Sequence, residues 1–472
     1  PPSVRFIVSQ SRVCSYLGVN GDRIASAMRQ PAILAVVSIC ALLVLTGTLT
    51  KMRGQWHRRD FSNYYESAWA LRHGIDPYST DLTPVGAQLG LETNWLVHAS
   101  ETPPFLLCFE PLTRLRPRVA FRLWSAINFS ALAIAMYLLL GYRRALSGRT
   151  VLLLAGLMLM SAPVNLNLYW GQSQLLVLAL MVAAMRAMDR KRDGAAGLLI
   201  AMAALLRAYP LLLVGYFVFR RKWRAVLFAI AGIAAGGLAT VAILGLSQTL
   251  NFVHGALWLT DYRVVNRVDN LSLGPFVSRM FWSLSGTSPG SSADWIRRAA
   301  IAIADAVVLG LTIRATLADA NRDDPDWRIY SLWIATAIML TPVGWHHYLV
   351  LLAIPFVQMV ASAAHGRPHS RAIWIAALSY LLSAISLRAF SRFMVPPPTA
   401  FQIALPWLAR ALEETSFIAL LSGYIAAYWF ATDHLQAEHS PQLHRAESQH
   451  RLVADFDHRD RAKTHAGQLV DE

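Results

Sequence analysis

The sequence predicts an all-α polytopic membrane protein, and three observations carry that prediction. Of its 472 residues, 55% are hydrophobic and only 15% charged, whereas soluble domains carry about 25% charged residues. The apolar residues fall in blocks such as 31–50 and 225–246, close to the roughly 20 residues a helix needs to cross a bilayer. Short basic clusters separate the blocks: Arg143-Arg144, Arg190-Lys191-Arg192 and Arg220-Arg221-Lys222. Together these exclude an ordinary soluble enzyme, a disulfide scaffold and a disordered chain. The net charge of +15 is spread as orientation signals between spans, so no nucleic-acid partner is expected. Cys14, Cys40 and Cys108 lack metal-ligand spacing and read as apolar filler.

Charge fixes the sidedness of each element in turn. Residues 1–30 carry Arg5, Arg12, Arg23 and Arg29 against Asp22 and are placed in the cytoplasm. A first span over about 31–50 leads to an outer loop, 51–118. Spans follow over about 119–140, 150–166 and 173–188. Basic clusters then bound residues 194–219 on both sides, which a single crossing does not satisfy. The centre of that segment reads Leu206-Arg207-Ala208-Tyr209-Pro210. Proline interrupts a helix, and irregular backbone at membrane depth survives only inside protein or at a cavity. The segment is therefore predicted to be a broken helical hairpin open to the cytoplasm, the alternative being one kinked span with misplaced basic residues. Further spans cover about 225–246, 298–316, 328–343, 348–364, 372–388 and 415–431. The sum is about ten full spans plus the hairpin, within a membrane domain over 31–431. The tail, 432–472, lacks apolar periodicity and is expected to be a disordered cytoplasmic extension.

The polar residues on the outer side are the candidates for chemistry. Asp60 directly follows the first span beside Arg58 and Arg59. A carboxylate there can take a proton from an attacking hydroxyl; Asp is equally a favoured N-cap for Phe61 onward, and chemistry alone favours neither. Among the other acids of the loop, Asp76 and Glu110 adjoin prolines and read as turn residues. Glu66, Asp81, Glu92 and Glu101 lie further along, without a comparable anchor to the first span. Asn165, Asn167, Tyr169, Trp170, Gly171, Gln172 and Gln174 form a second cluster. Amides and aromatic faces suit a sugar, although an interfacial aromatic belt has the same composition. Arg207 is a cation inside an apolar segment, a costly placement that points to an anion or to helix-end carbonyls. His346 and His347 sit at the outer end of a span, where adjacent positions diverge around a helix and do not readily share one metal. Asp261 to Pro275, with Arg263 and Asn270, is an outer loop that closes over a substrate or is simply a surface turn. Asp323-Asp324-Pro325-Asp326 reads as a solvated turn.

In order along the chain, these pieces resemble glycosyltransferase family 87, a group of GT-C membrane glycosyltransferases. The resemblance covers roughly residues 55–365. Its carriers are the early acid with its following aromatic, Gly74-Ile75-Asp76-Pro77-Tyr78, Thr102-Pro103-Pro104-Phe105 with Glu110-Pro111-Leu112, and Leu123-Trp124 with Asn128. They continue through Gly171-Gln172, the stretch from Gly197 to Pro210, Asn270 to Pro275, and Pro342 to His347. Where members often carry Lys before the broken-helix proline, this chain has Arg207, which keeps the charge and changes its geometry.

The resemblance implies a GT-C fold with its active site in the outer loops of a plasma-membrane protein. It implies transfer of a hexose, mannose first, from a polyprenyl-phosphate sugar donor to a lipid or glycan acceptor, as in the α-mannosyltransferases of phosphatidylinositol mannoside assembly. Asp60 matches the family's base for an inverting transfer. Arg207 with His346 or His347 would hold the donor phosphate, and Tyr64, Asn165, Tyr169, Gln172, Arg263 and Asn270 would contact sugar or acceptor. No cofactor and no metal are expected. An arabinofuranosyltransferase of the same family, or a non-enzymatic flippase of lipid-linked sugars, would share most of these features.

Overall fold

The computed structural model describes residues 30–54, 56–57, 60–92, 97–141, 146–258, 267, 269–285, 292–319, 326–364, 370–384 and 414–432. The N-terminal segment before residue 30, the tail beyond 432, Arg58, Arg59 and Arg263 lie outside the described residues. Among those described, every named element is a helix, apart from an isolated bridge between Asn270 and Trp345.

Each predicted span contains a helix, but fewer are full spans than expected. Among the described residues, six helices are long and apolar enough to cross a bilayer: Pro31–Arg53, Pro117–Leu140, Trp223–Gly255, Ser292–Ala318, His346–Ala363 and Thr415–Thr432. A seventh is the pair Gly148–Met160 and Ala162–Trp170, bent by 53°. The expected figure of about ten full spans is larger than the six or seven helices of that length among the described residues. The difference lies in short helices: Asp193–Leu206, Tyr209–Phe219, Trp327–Leu340 and Arg371–Ala384 are apolar but only 10–17 residues long, and Gln174–Asp189 has 16 residues. A bilayer core needs roughly 20 residues at 1.5 Å each. This is a multi-pass membrane protein that combines full-length apolar helices with shorter ones.

Local sequence sets the breaks. Helix α1 (Pro31–Arg53) opens on a proline at its first turn, where the missing N–H is not needed. It packs on the bent pair, where Val37 fills the space above Gly156 and Thr48 Oγ donates to Asn165 Oδ1 at 2.7 Å. The bend in that pair falls at Ser161, whose hydroxyl accepts from Val164 N and so caps the second half. The second half ends at Gly171, in the left-handed region at φ 70°, where a residue lacking Cβ fits without strain.

The segment 193–219 has the geometry of a hairpin. Helix α2 (Asp193–Leu206) lies along α3 (Trp223–Trp258) through small residues. Gly194 faces Phe228, Gly197 sits on the Ala225 carbonyl, Ala201 meets Gly232 and Leu205 meets Gly236. A Cβ on Gly197 would lie 2.1 Å from that carbonyl oxygen, so glycine permits the close approach. The order of contacts makes α2 and the start of α3 parallel. The short helix Leu213–Phe219 hands over directly to α3, so both ends of the segment lie at the end where α3 begins. Matching turns close the preceding helices there. Arg192 N bonds Ala187 O and Lys191 N bonds Met188 O; Lys222 N bonds Phe217 O and Arg221 N bonds Val218 O. Each places a basic residue, Lys191 (φ 56°) or Arg221 (φ 55°), where glycine is usual. Their neighbour Arg220, which reads from sequence as an orientation signal, is 1% exposed and paired with Asp319.

Candidate active site

The site is built where helix Asp60–Arg72, the loop before helix Pro103–Phe109, the Gly171–Ser173 turn and the break of the hairpin converge. Phe61, Tyr64, Phe105, Phe109, Phe121 and Trp124 are all buried. They form an edge-to-face cluster, with Tyr64 and Phe105 centroids 4.9 Å apart and Phe109 and Trp124 5.0 Å apart. This packing fixes the Asp60–Arg72 helix with its N-terminal acid facing the Gly171 turn. Trp124 Nε1 donates to Gly171 O at 2.6 Å, and Gln172 N bonds Asn167 O at 2.9 Å. The turn therefore presents Gln172 on the side of Asp60.

A continuous polar chain results. Gln172 Nε2 donates to Asp60 Oδ2. Gln172 Oε1 accepts from the Tyr64 hydroxyl at 2.6 Å and from an Arg207 nitrogen at 3.1 Å. The same Arg207 nitrogen donates to the Tyr64 oxygen, and Arg207 Nε donates to Ser173 Oγ at 3.1 Å. Arg207 itself is extended, φ −149° and ψ 129°, at the end of α2. Its other terminal nitrogen lies 3.8 Å from Glu101. A buried guanidinium is tolerated only with such partners.

Arg207 also opens onto an apolar cavity of about 700 Å³. Its lining includes the polar side chains of Ser100, Thr102, Tyr209, Thr341 and Tyr348 and the apolar Leu309, Ile313, Trp333, Ala337 and Leu340. Among the residues lining the cavity, Arg207 is the one that carries a charge, and most of the rest are apolar. Tyr209 and Tyr348 pack 5.1 Å apart, and the Tyr209 hydroxyl donates to Gln174.

Of the residues singled out from sequence, the structure brings together Asp60, Tyr64, Gln172 and Arg207. Others it commits elsewhere. Asn165 spends its amide on Thr48, Leu159 O and Ser161 O, so it fastens α1 to the bend. Asn270 donates to Pro342 O and accepts from Gly344 N at 2.9 Å, pinning its loop to the turn before His346. Both ring nitrogens of His346 are occupied, by Ser416 Oγ at 2.9 Å and Ser383 O at 2.7 Å, which leaves neither for a phosphate. His347 is 1% exposed, edge-on to Trp170 at 5.8 Å and Tyr348 at 5.0 Å. Its ring nitrogens have no hydrogen-bond partner among the described residues. Tyr169 is half-buried against the core. Arg263 lies outside the described residues.

The other loop acids divide. Asp76 accepts from Tyr78 N, Ser79 Oγ and Asn251 Nδ2 and shapes a turn. Glu110 lies 3.5 Å from Arg72. Asp81 accepts from Thr83 N at 2.8 Å, and hydrogen bonding from the Thr83 side chain, with that backbone bond, lowers its pKa from the usual carboxylate value. Glu101 departs from the sequence reading. It is 3% exposed and faces Arg207. The signal for it was its position directly before Thr102-Pro103-Pro104, a loop that must dock closely: Thr102 Oγ donates to Leu205 O.

Apolar helices enclosing a buried polar cluster beside a largely apolar cavity define a membrane protein with a charged site inside its apolar body. The chain belongs to glycosyltransferase family 87, whose profile matches residues 102–342. That stretch contains Gln172 and Arg207, while Asp60 and Tyr64 precede it. Over 352 residues the chain is 24% identical to a polyprenol-phosphate-mannose-dependent alpha-(1-2)-phosphatidylinositol pentamannoside mannosyltransferase of Mycobacterium tuberculosis, covering 70% of this chain and 76% of that protein. Over 227 residues it is 22% identical to a polyprenol-phosphate-mannose-dependent alpha-(1-2)-phosphatidylinositol mannoside mannosyltransferase of Mycolicibacterium smegmatis, covering 46% of this chain and 47% of that protein.

Proposed function

We propose that this protein transfers mannose from a polyprenyl-phosphate donor to a lipid-linked acceptor at the outer face of the plasma membrane, inverting the anomeric centre. The observation that carries this reading is the Asp60–Gln172–Arg207 chain, which reaches a largely apolar cavity at Arg207. A polyprenyl phosphate has the same polarity pattern as that cavity: a long hydrocarbon ending in an anion. The curated relatives' names supply the sugar and the acceptor class.

In this reading the polyprenyl chain lies along Leu309, Ile313, Ala337 and Leu340, with its phosphate at Arg207. Asp60 accepts the proton of the acceptor hydroxyl as that oxygen attacks the anomeric carbon. The bond from that carbon to the phosphate oxygen breaks, and polyprenyl phosphate leaves with the electron pair. A fixed cation stabilises the charge that develops on the leaving group, and an inverting transfer needs a single base with no covalent intermediate. Gln172 holds base and cation in one frame, since its two amide ends are committed in opposite directions.

The test is transfer by the purified full chain in detergent from polyprenyl-phosphate-mannose to phosphatidylinositol mannoside, with the linkage read by NMR. A new mannoside of inverted configuration is expected. Transbilayer movement of the donor in vesicles with no glycoside formed would show a flippase instead, and arabinose transfer from the corresponding donor would correct the sugar.

A further inference from the structure

Glu101 is anomalous beside a phosphate site. Its side chain is 4% exposed, and its carboxylate lies 3.8 Å from the Arg207 guanidinium. One oxygen accepts from Ser100 Oγ at 2.8 Å and the other from Ser100 N at 3.2 Å. The residue's own carbonyl accepts from the buried Tyr78 hydroxyl at 3.1 Å. Ser100 and Thr102 line the cavity and Glu101 does not, so the carboxylate stands behind Arg207 rather than in the path of a ligand. Thr102 ties the same loop to the end of α2, which fixes the carboxylate relative to the cation.

Two charges then compete for one guanidinium. An anion arriving from the cavity meets a cation already neutralised from behind, and it feels the repulsion of the buried carboxylate. At this depth such terms are poorly screened. Resting on the transfer reading above, we infer that Glu101 is a positioning residue, the standing counter-ion of Arg207. It weakens the grip on phosphate enough for polyprenyl phosphate to leave after each transfer. The arrangement serves both ends of the cycle: it makes a buried cation tolerable while the cavity lacks an anion, and it prevents that cation from becoming a trap for the product.

The sign of the effect separates this role from a structural one. Glu101→Gln keeps shape and most hydrogen bonds but removes the charge, and Glu101→Asp keeps the charge while drawing it back from Arg207. Binding of decaprenyl monophosphate to the purified full chain should tighten in the order wild type, Glu101→Asp, Glu101→Gln, by on the order of tenfold at the far end. Decaprenyl monophosphate should inhibit transfer by Glu101→Gln at correspondingly lower concentration, with turnover at saturating donor reduced by slow product release.

A residue that merely braces Arg207 gives the reverse order, weaker binding in both variants, and that result overturns the inference. Should Glu101→Gln fail to fold, Glu101→Asp alone carries the sign. Mannose transfer by the wild type is scored separately. Transfer without tighter binding in the variants overturns the counter-ion role and leaves the proposed function standing. Decaprenyl phosphate binding in the expected order without any transfer supports the counter-ion and overturns the transferase reading.

Discussion

The Arg207 guanidinium and the Gln172 amide oxygen meet at 3.1 Å, although 35 positions separate them in the chain. Because that oxygen is committed to Arg207 and Tyr64, the amide nitrogen is forced towards Asp60. Gln172 is thus oriented by its partners, and its orientation is what couples a carboxylate to a cation. Replacing Gln172 by Ala breaks both ends, and kcat should fall on the order of tenfold, the worth of one or two buried hydrogen bonds. Replacing it by Glu sets a second carboxylate against Asp60 and should cost more. Steady-state kinetics of the two variants with polyprenyl-phosphate-mannose checks the order, and a Glu variant more active than the Ala variant would refute the bridging role.

Asp60→Asn preserves the side-chain shape and removes basicity. General bases contribute about 10²–10⁴-fold, so transfer should fall by that range while donor binding and detergent stability stay near wild type. Equilibrium binding of the donor alongside single-turnover transfer separates the two quantities. Turnover near the wild-type rate would remove Asp60 from the mechanism.

Arg207 uses Nε for Ser173 and one terminal nitrogen for Tyr64 and Gln172, with the other beside Glu101. A lysine ammonium keeps the charge but lacks the planar fork that reaches these partners together. Arg207→Lys should therefore retain weak transfer with raised KM, whereas Arg207→Met should lose donor binding. Equal, near-wild-type activity in both variants would assign the cation to structure alone.

The cavity as the site of the hydrocarbon is testable apart from Arg207. Ile313 lines the cavity and is half-buried, so Ile313→Trp should narrow it. The loss in kcat/KM should be severalfold for a long polyprenyl donor and small for a short-chain analogue, because apolar burial scales with contact area. A uniform loss across chain lengths would place the lipid elsewhere.

How much of this was legible beforehand varies with the kind of residue. Asp60 and Arg207 stand out in sequence because each is a charge beside or inside hydrocarbon. The hairpin around Arg207 follows from basic clusters at both its ends. Their joining through Gln172 depends on a turn whose register only packing sets. Glu101 looked like an ordinary loop acid, since the docking of its loop on α2 is a tertiary contact between distant segments. Asn165, Asn270 and His346 show the converse: polar residues at helix ends read as ligand contacts, yet their hydrogen bonds close the protein's own seams. Several expected spans coincide with short apolar helices, which have the composition of full spans and differ from them in length.

Gly171 offers a test of how tightly the site depends on that turn. Its φ of 70° lies in the left-handed region, and a Cβ there would stand 3.1 Å from Phe61 Cβ and 3.5 Å from the Trp124 ring. Gly90 supplies a control, with φ 67° and nothing within 4 Å of a built Cβ. Both alanine variants carry the backbone cost of a left-handed L-residue, roughly 1–2 kcal/mol. Gly171→Ala adds crowding against the residue that follows Asp60, pushing the base away from Gln172. Thermal unfolding in detergent should show a loss for Gly90→Ala and a larger one for Gly171→Ala. Transfer should be nearly unchanged in the former and reduced at least tenfold in the latter. Were the two to lose stability and activity alike, backbone conformation alone would account for the glycine, and the contact with Phe61 would have no part in placing Asp60.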